Sequence, residues 1–167
     1  MAMAEQTNQG NGGVSAPPQG TQAQIRVIAQ YIKDLSFENP NVRKLLGSPG
    51  EAPNLRVEVN VNATKIADKA FESAIQLKAE ATNNLGTIYD LELAYAGMFH
   101  IESMAEAALE PFLLINCPAL LFPFARRLVA DLTREGGFPP LLLDPIDFGD
   151  LYLKRQKEKQ AQVKSAN

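Results

Sequence analysis

From residue 24 onward the hydrophobic period of the chain changes as it goes, and each change marks a different kind of element. Over 24–38, Ile25, Val27, Ile28, Tyr31, Ile32, Leu35 and Phe37 put apolar side chains on both faces of an extended segment, which predicts a long strand. Asn39-Pro40-Asn41 stops it, and Gly47, Pro49, Gly50 and Pro53 predict a loop too long for a tight hairpin. Residues 55–63 alternate strictly. Leu55, Val57, Val59, Val61 and Ala63 point one way, and Arg56, Glu58, Asn60 and Asn62 the other, as in a strand with one wet face. Residues 70–81 repeat this, with Phe71, Ile75, Leu77, Ala79 and Ala81 opposed to Glu72, Gln76, Lys78 and Glu80. Asn83-Asn84-Leu85-Gly86 predicts a hairpin turn, because Asn and Gly tolerate positive φ. A fourth strand is predicted over 87–101, with Tyr89, Leu91, Leu93 and Tyr95 opposed to Asp90 and Glu92. Gly97 breaks the phase before Met98 and Phe99, which predicts a bulge there. Strands joined by turns in this way suggest an antiparallel meander.

Beyond residue 102 the period becomes helical. Ser103-Met104-Ala105-Glu106 matches a capping box and predicts a short helix ending before Pro111. A longer helix is predicted from about Asn116 to Arg134, with Pro118 tolerated in its first turn and Gly136-Gly137 as its C-cap. A last helix is predicted from about Asp147 to Gln162. Strands followed by helices define an α+β class: a four-stranded antiparallel sheet with C-terminal helices packed on one face. The first half of the long helix is apolar nearly all round, through Leu120, Leu121, Phe122, Phe124, Leu128 and Val129. Such a helix needs burial on more than one side, and the sheet offers one. A homo-oligomer is therefore expected.

Composition sets the limits of this picture. Residues 1–22 are rich in Gln, Gly, Ala and Pro and bury nothing, so a disordered tail is expected there, with the folded domain over 23–155 and a basic tail over 156–167. Residues 1–150 hold 18 of the 19 acids and 11 of the 16 bases, so the body is acidic and argues against nucleic-acid binding. The C-terminal cations Lys154, Arg155, Lys157, Lys159 and Lys164 read as a solvated end. Cys117 is the only cysteine, which leaves no intramolecular disulfide and fits a reducing compartment. No apolar segment opens the chain, so no signal peptide is expected. The longest apolar run is broken by prolines and reads as too short for a bilayer, so a soluble cytoplasmic protein is expected.

Candidate chemistry is sparse. His100 and Cys117 lack the further His or Cys ligands that a metal site needs, and nothing in the sequence activates Cys117, so no metal is expected. No phosphate-binding glycine loop or nucleophile elbow occurs. The chain does not read as an enzyme. Two features remain. From Ala79 to Ala125 there are six acids and no Lys or Arg, and Asp90 and Glu92, with Asp34 and Glu38, can form a negative sheet surface. That surface reads either as a dock for a basic partner or as plain solubility. Phe37, Tyr89, Tyr95, Phe99 and Phe138, with the Pro139-Pro140-Leu141-Leu142-Leu143 run, read either as a groove for extended apolar peptide or as core and oligomer contact.

Four separated blocks carry a resemblance. They are Tyr31-Ile32-Lys33-Asp34-Leu35-Ser36-Phe37-Glu38-Asn39-Pro40-Asn41; Gly97-Met98-Phe99; Asn116-Cys117-Pro118-Ala119-Leu120-Leu121-Phe122-Pro123-Phe124-Ala125-Arg126; and Gly137-Phe138-Pro139-Pro140-Leu141-Leu142-Leu143-Asp144-Pro145-Ile146-Asp147-Phe148. In order and spacing, residues 24–155 resemble the SecB protein-export chaperones of the proteobacterial type. The resemblance implies a cytoplasmic chaperone without ATP or cofactor, assembled as a homotetramer that is a dimer of dimers. It would hold unfolded precursor proteins competent for translocation and pass them to SecA. It implies SecA docking on Asp34, Glu38, Asp90 and Glu92. It also implies a client groove that includes Phe37, Tyr89 and Phe138, with Tyr95, Phe99 and Leu141 beside them. Oligomer contacts fall in the helix block, at Cys117, Leu120, Leu121 and Phe124. Relatives often carry a Trp near Glu51, where this chain has none, so that side of the groove is expected to be shallower or more polar. A SecB-like chaperone dedicated to one partner, such as an antitoxin, is the alternative.

Overall fold

Residues 22–165 are described by the computed structural model. The tail expected over 1–22 therefore lies outside the described residues, apart from Gln22. The strands are β1 (Gln24–Glu38), β2 (Asn54–Ala67), β3 (Ala70–Asn83) and β4 (Gly86–Glu102), all antiparallel, as the alternation predicts. Their order in the sheet is β1-β4-β3-β2. The last three form a meander, but β1 crosses to the far edge beside β4, so the topology is a Greek key rather than the simple meander expected. The connection that makes this crossing is not bare loop: Val42–Gly47 forms a short helix, α1, whose Leu45 is buried.

The irregularities of the sheet also fall elsewhere than Gly97, which pairs in register with both Gln30 and Ser73. A Cβ on Gly97 would stand 2.7 Å from Leu121 Cδ2, so the glycine serves close approach of a helix and not a bulge. Register shifts occur in β1 between Val27 and Ala29 and between Ile32 and Asp34, in the β2–β3 pairing between Lys65 and Ala67, and in the β3–β4 pairing between Ala81 and Thr82. The second one has a direct effect. Ile32 lies opposite Tyr95, and after the extra residue Lys33 the pairing resumes with Asp34 opposite Ala94. One residue of slip exchanges the faces of a strand. Asp34, Ser36 and Glu38 are thereby turned outward with Ala94, Glu92 and Asp90, while Phe37 is turned inward.

On the inner face lies one continuous helical run, Glu106–Glu135, thirty residues long. It comprises α2 (Glu106–Pro111), a widened π-turn (Phe112–Asn116) and α3 (Cys117–Glu135). The expected break at Pro111 does not occur. The wide turn ends two residues before Pro118 and contains Leu114, whose carbonyl the Pro118 ring would meet in a regular α-helix. By length and composition alone this run would suffice to cross a membrane, contrary to the expectation from its prolines. One stripe of it, Cys117, Leu121, Ala125 and Val129, is fully buried against the sheet with Ile75, Leu91 and Phe99. The capping box does not form either. Ser103 adopts φ 59°, Ala105 takes the N-cap position, and no side chain caps the helix.

Gly136 and Gly137 end α3 as predicted. Gly137 has φ +90°, its N–H donates to Arg134 O at 3.0 Å, and Phe138 N–H donates to Thr133 O at 3.1 Å, which together make a Schellman motif. The last helix, α4 (Phe148–Ser165), is pinned at its start. Phe148 packs edge-on against Phe122 at 5.9 Å, and Asp147 accepts a hydrogen bond from Asp150 N–H at 3.0 Å. Farther along, Arg155 donates to the backbone oxygen of Val61 on β2.

Candidate functional site: an apolar cleft and an acidic face

At the end of the sheet where β1 leaves and the β3–β4 hairpin turns, a second small core gathers Leu45, Ala81, Ile88 and Tyr89, with Phe37, Leu85 and Phe138 against it. Above it opens a cleft of about 560 Å³. Its walls are Leu45 and Leu46 of α1, the 49–53 loop, Leu55, Ala81, Ile88, Tyr89, and the 137–141 segment. Phe37, Tyr89 and Phe138 form an aromatic ladder, with ring centroids 5.9 Å apart for the first pair and 5.5 Å for the second. Each wall is tied down by polar groups outside the cleft. Asn83 Nδ2 donates to Pro49 O at 3.0 Å, Glu51 N–H donates to Asn84 Oδ1 at 3.0 Å, and Asn41 Nδ2 donates to Thr87 O at 2.9 Å. Thr133, fully buried, accepts from Leu141 N–H at 2.8 Å and donates to Val129 O, which holds the proline segment back against α3. Prolines cannot join the sheet. This segment lies beside it as a wall.

Of the groove residues expected from the sequence, Tyr89, Phe138 and Leu141 line the cleft, and Phe37 stands behind Tyr89. Tyr95 and Phe99 do not. Phe99 has no exposure and belongs to the main core, and Tyr95 stacks on Phe124 at 6.3 Å under α3. Leu45, Leu46 and the loop wall were not foreseen. Their only signal was the Leu45-Leu46 pair inside a stretch that glycines and prolines mark as connection. Near Glu51 the wall consists of Pro49, Ala52 and Pro53, with no large ring.

The opposite face of the same strand ends is charged. Cross-strand rows run Arg56, Glu80, Asp90, Glu38; then Glu58, Lys78, Glu92, Ser36; then Asn60, Gln76, Ala94, Asp34. Asp34, Glu38, Asp90 and Glu92 are thus brought together, and Glu58 and Glu80 join them. Lys78 Nζ lies 2.8 Å from Glu92 Oε1 and 3.9 Å from Asp90 Oδ2, and the hydrogen bond to Glu92 raises its pKa above the usual lysine value. Asp90 Oδ1 is buried without a hydrogen-bond partner among the described residues. Glu38 and Asp90 oppose each other directly, an arrangement that destabilises a sheet. Six carboxylates against two cations leave a field that attracts positive charge.

Neither candidate for covalent chemistry, Cys117 or His100, stands in a reactive setting. Burial pushes the Cys117 thiol up to about 12, which leaves no thiolate at neutral pH. His100 Nε2 lies 2.9 Å from Glu102, itself paired with Lys69. Among the described residues no three His, Cys, Asp or Glu side chains converge on a possible metal position. Cys117 and Leu121, expected at an oligomer contact, are fully buried within the chain, facing the sheet. Leu120 and Phe124 are about half exposed and form the open side of α3.

The fold is thus an antiparallel sheet backed by one long helix, with an apolar cleft on one side of the strand ends and a charged face on the other. Comparison with known proteins gives the family. Residues 18–159 match the family model for the preprotein translocase subunit SecB. A protein-export protein SecB of Afipia carboxidovorans is 45% identical over 161 residues, covering 95% of this chain and 97% of its own. That of Parvibaculum lavamentivorans is 46% identical over 152 residues, covering 91% and 90%. The chain belongs to the SecB family, chaperones of protein export. Among solved structures, a SecB-like chaperone of Mycobacterium tuberculosis in complex with a ChAD peptide from the HigA1 antitoxin shares the fold. It has a TM-score of 0.59 at 19% identity and covers 74% of this chain and 90% of that one.

Proposed function

We propose that this chain is a cytoplasmic, ATP-independent holdase that works as a homotetramer, a dimer of dimers. It takes unfolded precursors in the cleft at Tyr89, Phe138 and Leu141 and delivers them to SecA, which docks on Asp34, Glu38, Asp90 and Glu92. One observation carries the reading: cleft and acidic face lie back to back on the same strand ends. Phe37 precedes Glu38 and Tyr89 precedes Asp90, so one side takes apolar chain while the other stays open to a basic partner. Apolar groups of an unfolded client gain roughly 25 cal/mol per Å² on burial in the cleft. Several clefts in one assembly hold a long client by avidity, without sequence specificity. A folded protein has no such segment to offer. The half-exposed Leu120 and Phe124 supply apolar surface for assembly. A dedicated partner, as in the antitoxin complex of the mycobacterial chaperone, is the second reading, and the similarity to export proteins along nearly the whole chain favours the first.

Size exclusion with light scattering, with and without a reduced, unfolded precursor, tests this. The expected result is a particle near four times the 18.2 kDa chain that co-elutes with unfolded precursor and ignores the native form. A monomer, or an oligomer indifferent to unfolded protein, would overturn it.

A further inference from the structure

The C-terminal half of α4 is a surface the function above does not use. From Lys157 to Lys164 every residue of the helix is exposed. The helix carries Lys154, Arg155, Lys157, Lys159 and Lys164 against Asp150 and Glu158. None of its lysines forms an ion pair among the described residues. Its apolar residues do not fall on one face, so it is not built to lie in a membrane surface or an apolar groove. What it matches is a dense negative surface, and this chain carries one. The anchor of Arg155 on Val61 brings α4 past the edge of β2. There Lys154, Arg155 and Glu158 share a hollow of about 380 Å³ with Asn60 and Gln76, the same two residues that border the hollow containing Asp34, Glu58, Lys78 and Glu92. The basic helix thus passes the rim of the acidic face. From Arg155 to Lys164 the helix rises about 14 Å, and the four strands of the sheet span about 14 Å between the outer two. Because every residue from Lys157 to Lys164 is exposed, little buried surface opposes movement of this helix end.

We propose that the basic half of α4 swings from the rim onto the acidic face of its own chain as a displaceable cover, neutralising the excess carboxylates until a more basic partner takes its place. This rests on the reading of that face as a docking surface, and adds that the surface is regulated in cis. Once on the face it would be held only by exposed ion pairs, each weak and screened by salt, so it would yield readily to a partner with more charge.

Zero-length carbodiimide cross-linking of the full-length protein at low salt, on a mixture of ¹⁴N- and ¹⁵N-labelled chains, tests it. Expected are links from Lys157 or Lys159 to Glu58 or Glu92 within single-isotope chains. They should fall roughly fivefold when deca-lysine is added in excess, and deca-lysine should link to the same carboxylates in their place. The variant carrying Lys157→Gln, Lys159→Gln and Lys164→Gln should lose the internal links and take up deca-lysine more readily. If deca-lysine links to the face but the helix never does, the cover is refuted and the docking surface stands. If deca-lysine does not link to the face either, the docking reading falls and the cover with it. Links only between chains of different isotope would also overturn the proposal.

Discussion

The ring of Phe37 occupies the space that a side chain on Gly136 would need: its Cε1 lies 2.6 Å from the position of a Cβ there. Phe37 belongs to both apolar clusters, packing on the main core and on Tyr89 behind the cleft. The end of α3 and the floor of the cleft are therefore joined through one ring, and only glycine permits the contact.

Gly136→Ala should destabilise the fold by about 1–3 kcal/mol through overpacking, although the φ of −69° suits alanine. The added change Phe37→Leu should recover part of the loss. Thermal unfolding of the single and double variants reads this directly. A Gly136→Ala protein as stable as the parent would show that the ring moves aside freely.

Phe138→Ala removes the outer rung of the aromatic ladder. Truncating an aromatic anchor in a binding cleft costs more than about 1 kcal/mol, so client affinity should fall about tenfold while the assembled mass stays unchanged. Equal loss of both would make Phe138 a core residue, not a binding one.

Glu92→Lys places a second cation beside Lys78, now 2.8 Å from the Glu92 carboxylate. SecA binding should weaken about tenfold at low salt, and less at about 150 mM, where the Debye length is about 8 Å. Assembly and client binding should be unaffected. Unchanged SecA affinity at low salt would contradict the assignment of this face.

Glu72 is a nearly buried carboxylate held by Lys33 Nζ at 2.6 Å and by the hydroxyl of Tyr31 at 2.5 Å. The hydrogen bond from Lys33, then that from Tyr31, keeps its pKa below the usual glutamate value, while the bond to Glu72 pushes Tyr31 up to about 12. A depressed carboxylate stabilises the fold above its unfolded pKa of about 4.3 and loses that contribution as pH falls through the lower folded value. Glu72→Gln should cost about 1–3 kcal/mol at neutral pH, and the deficit should shrink on acidification below about pH 4. A deficit independent of pH would show that the charge plays no part.

How far the sequence reveals this arrangement depends on whether the signal is local. The alternation at Arg56-Val57-Glu58-Val59 and Gln76-Leu77-Lys78 shows each strand and its wet side, and Gly136-Gly137 marks the end of α3, because period and turn chemistry are properties of neighbours. The faces of Asp34 and Phe37 depend on the bulge at Lys33, which exists only through pairing with β4, and nothing in residues 32–34 announces it. The box at Ser103 fails because the chain leaving β4 forces Ser103 to positive φ. Pro111 fails as a breaker because the helical run continues through it into the widened turn at Phe112–Asn116. The loop wall of the cleft and the Thr133 tether join residues far apart in the chain, so spacing alone could not disclose them. Cys117 and Leu121 lie on the same apolar helix as Leu120 and Phe124, and only packing distinguishes the side that meets the sheet from the side left open.

The position of β1 beside β4 sets a timetable for synthesis. Gln24 pairs with Glu102, seventy-eight residues later, so the first strand has no partner when it leaves the ribosome. At about 5–20 residues per second it waits roughly 4–16 s for β4 to follow. Throughout that interval Ile25, Val27, Ile28, Ile32 and Leu35 are an unpaired apolar strand, the kind of segment that a holdase exists to protect. The order of synthesis thus leaves an aggregation-prone strand bare until β4 emerges, and the yield of folded chain should depend on how well that strand is shielded meanwhile.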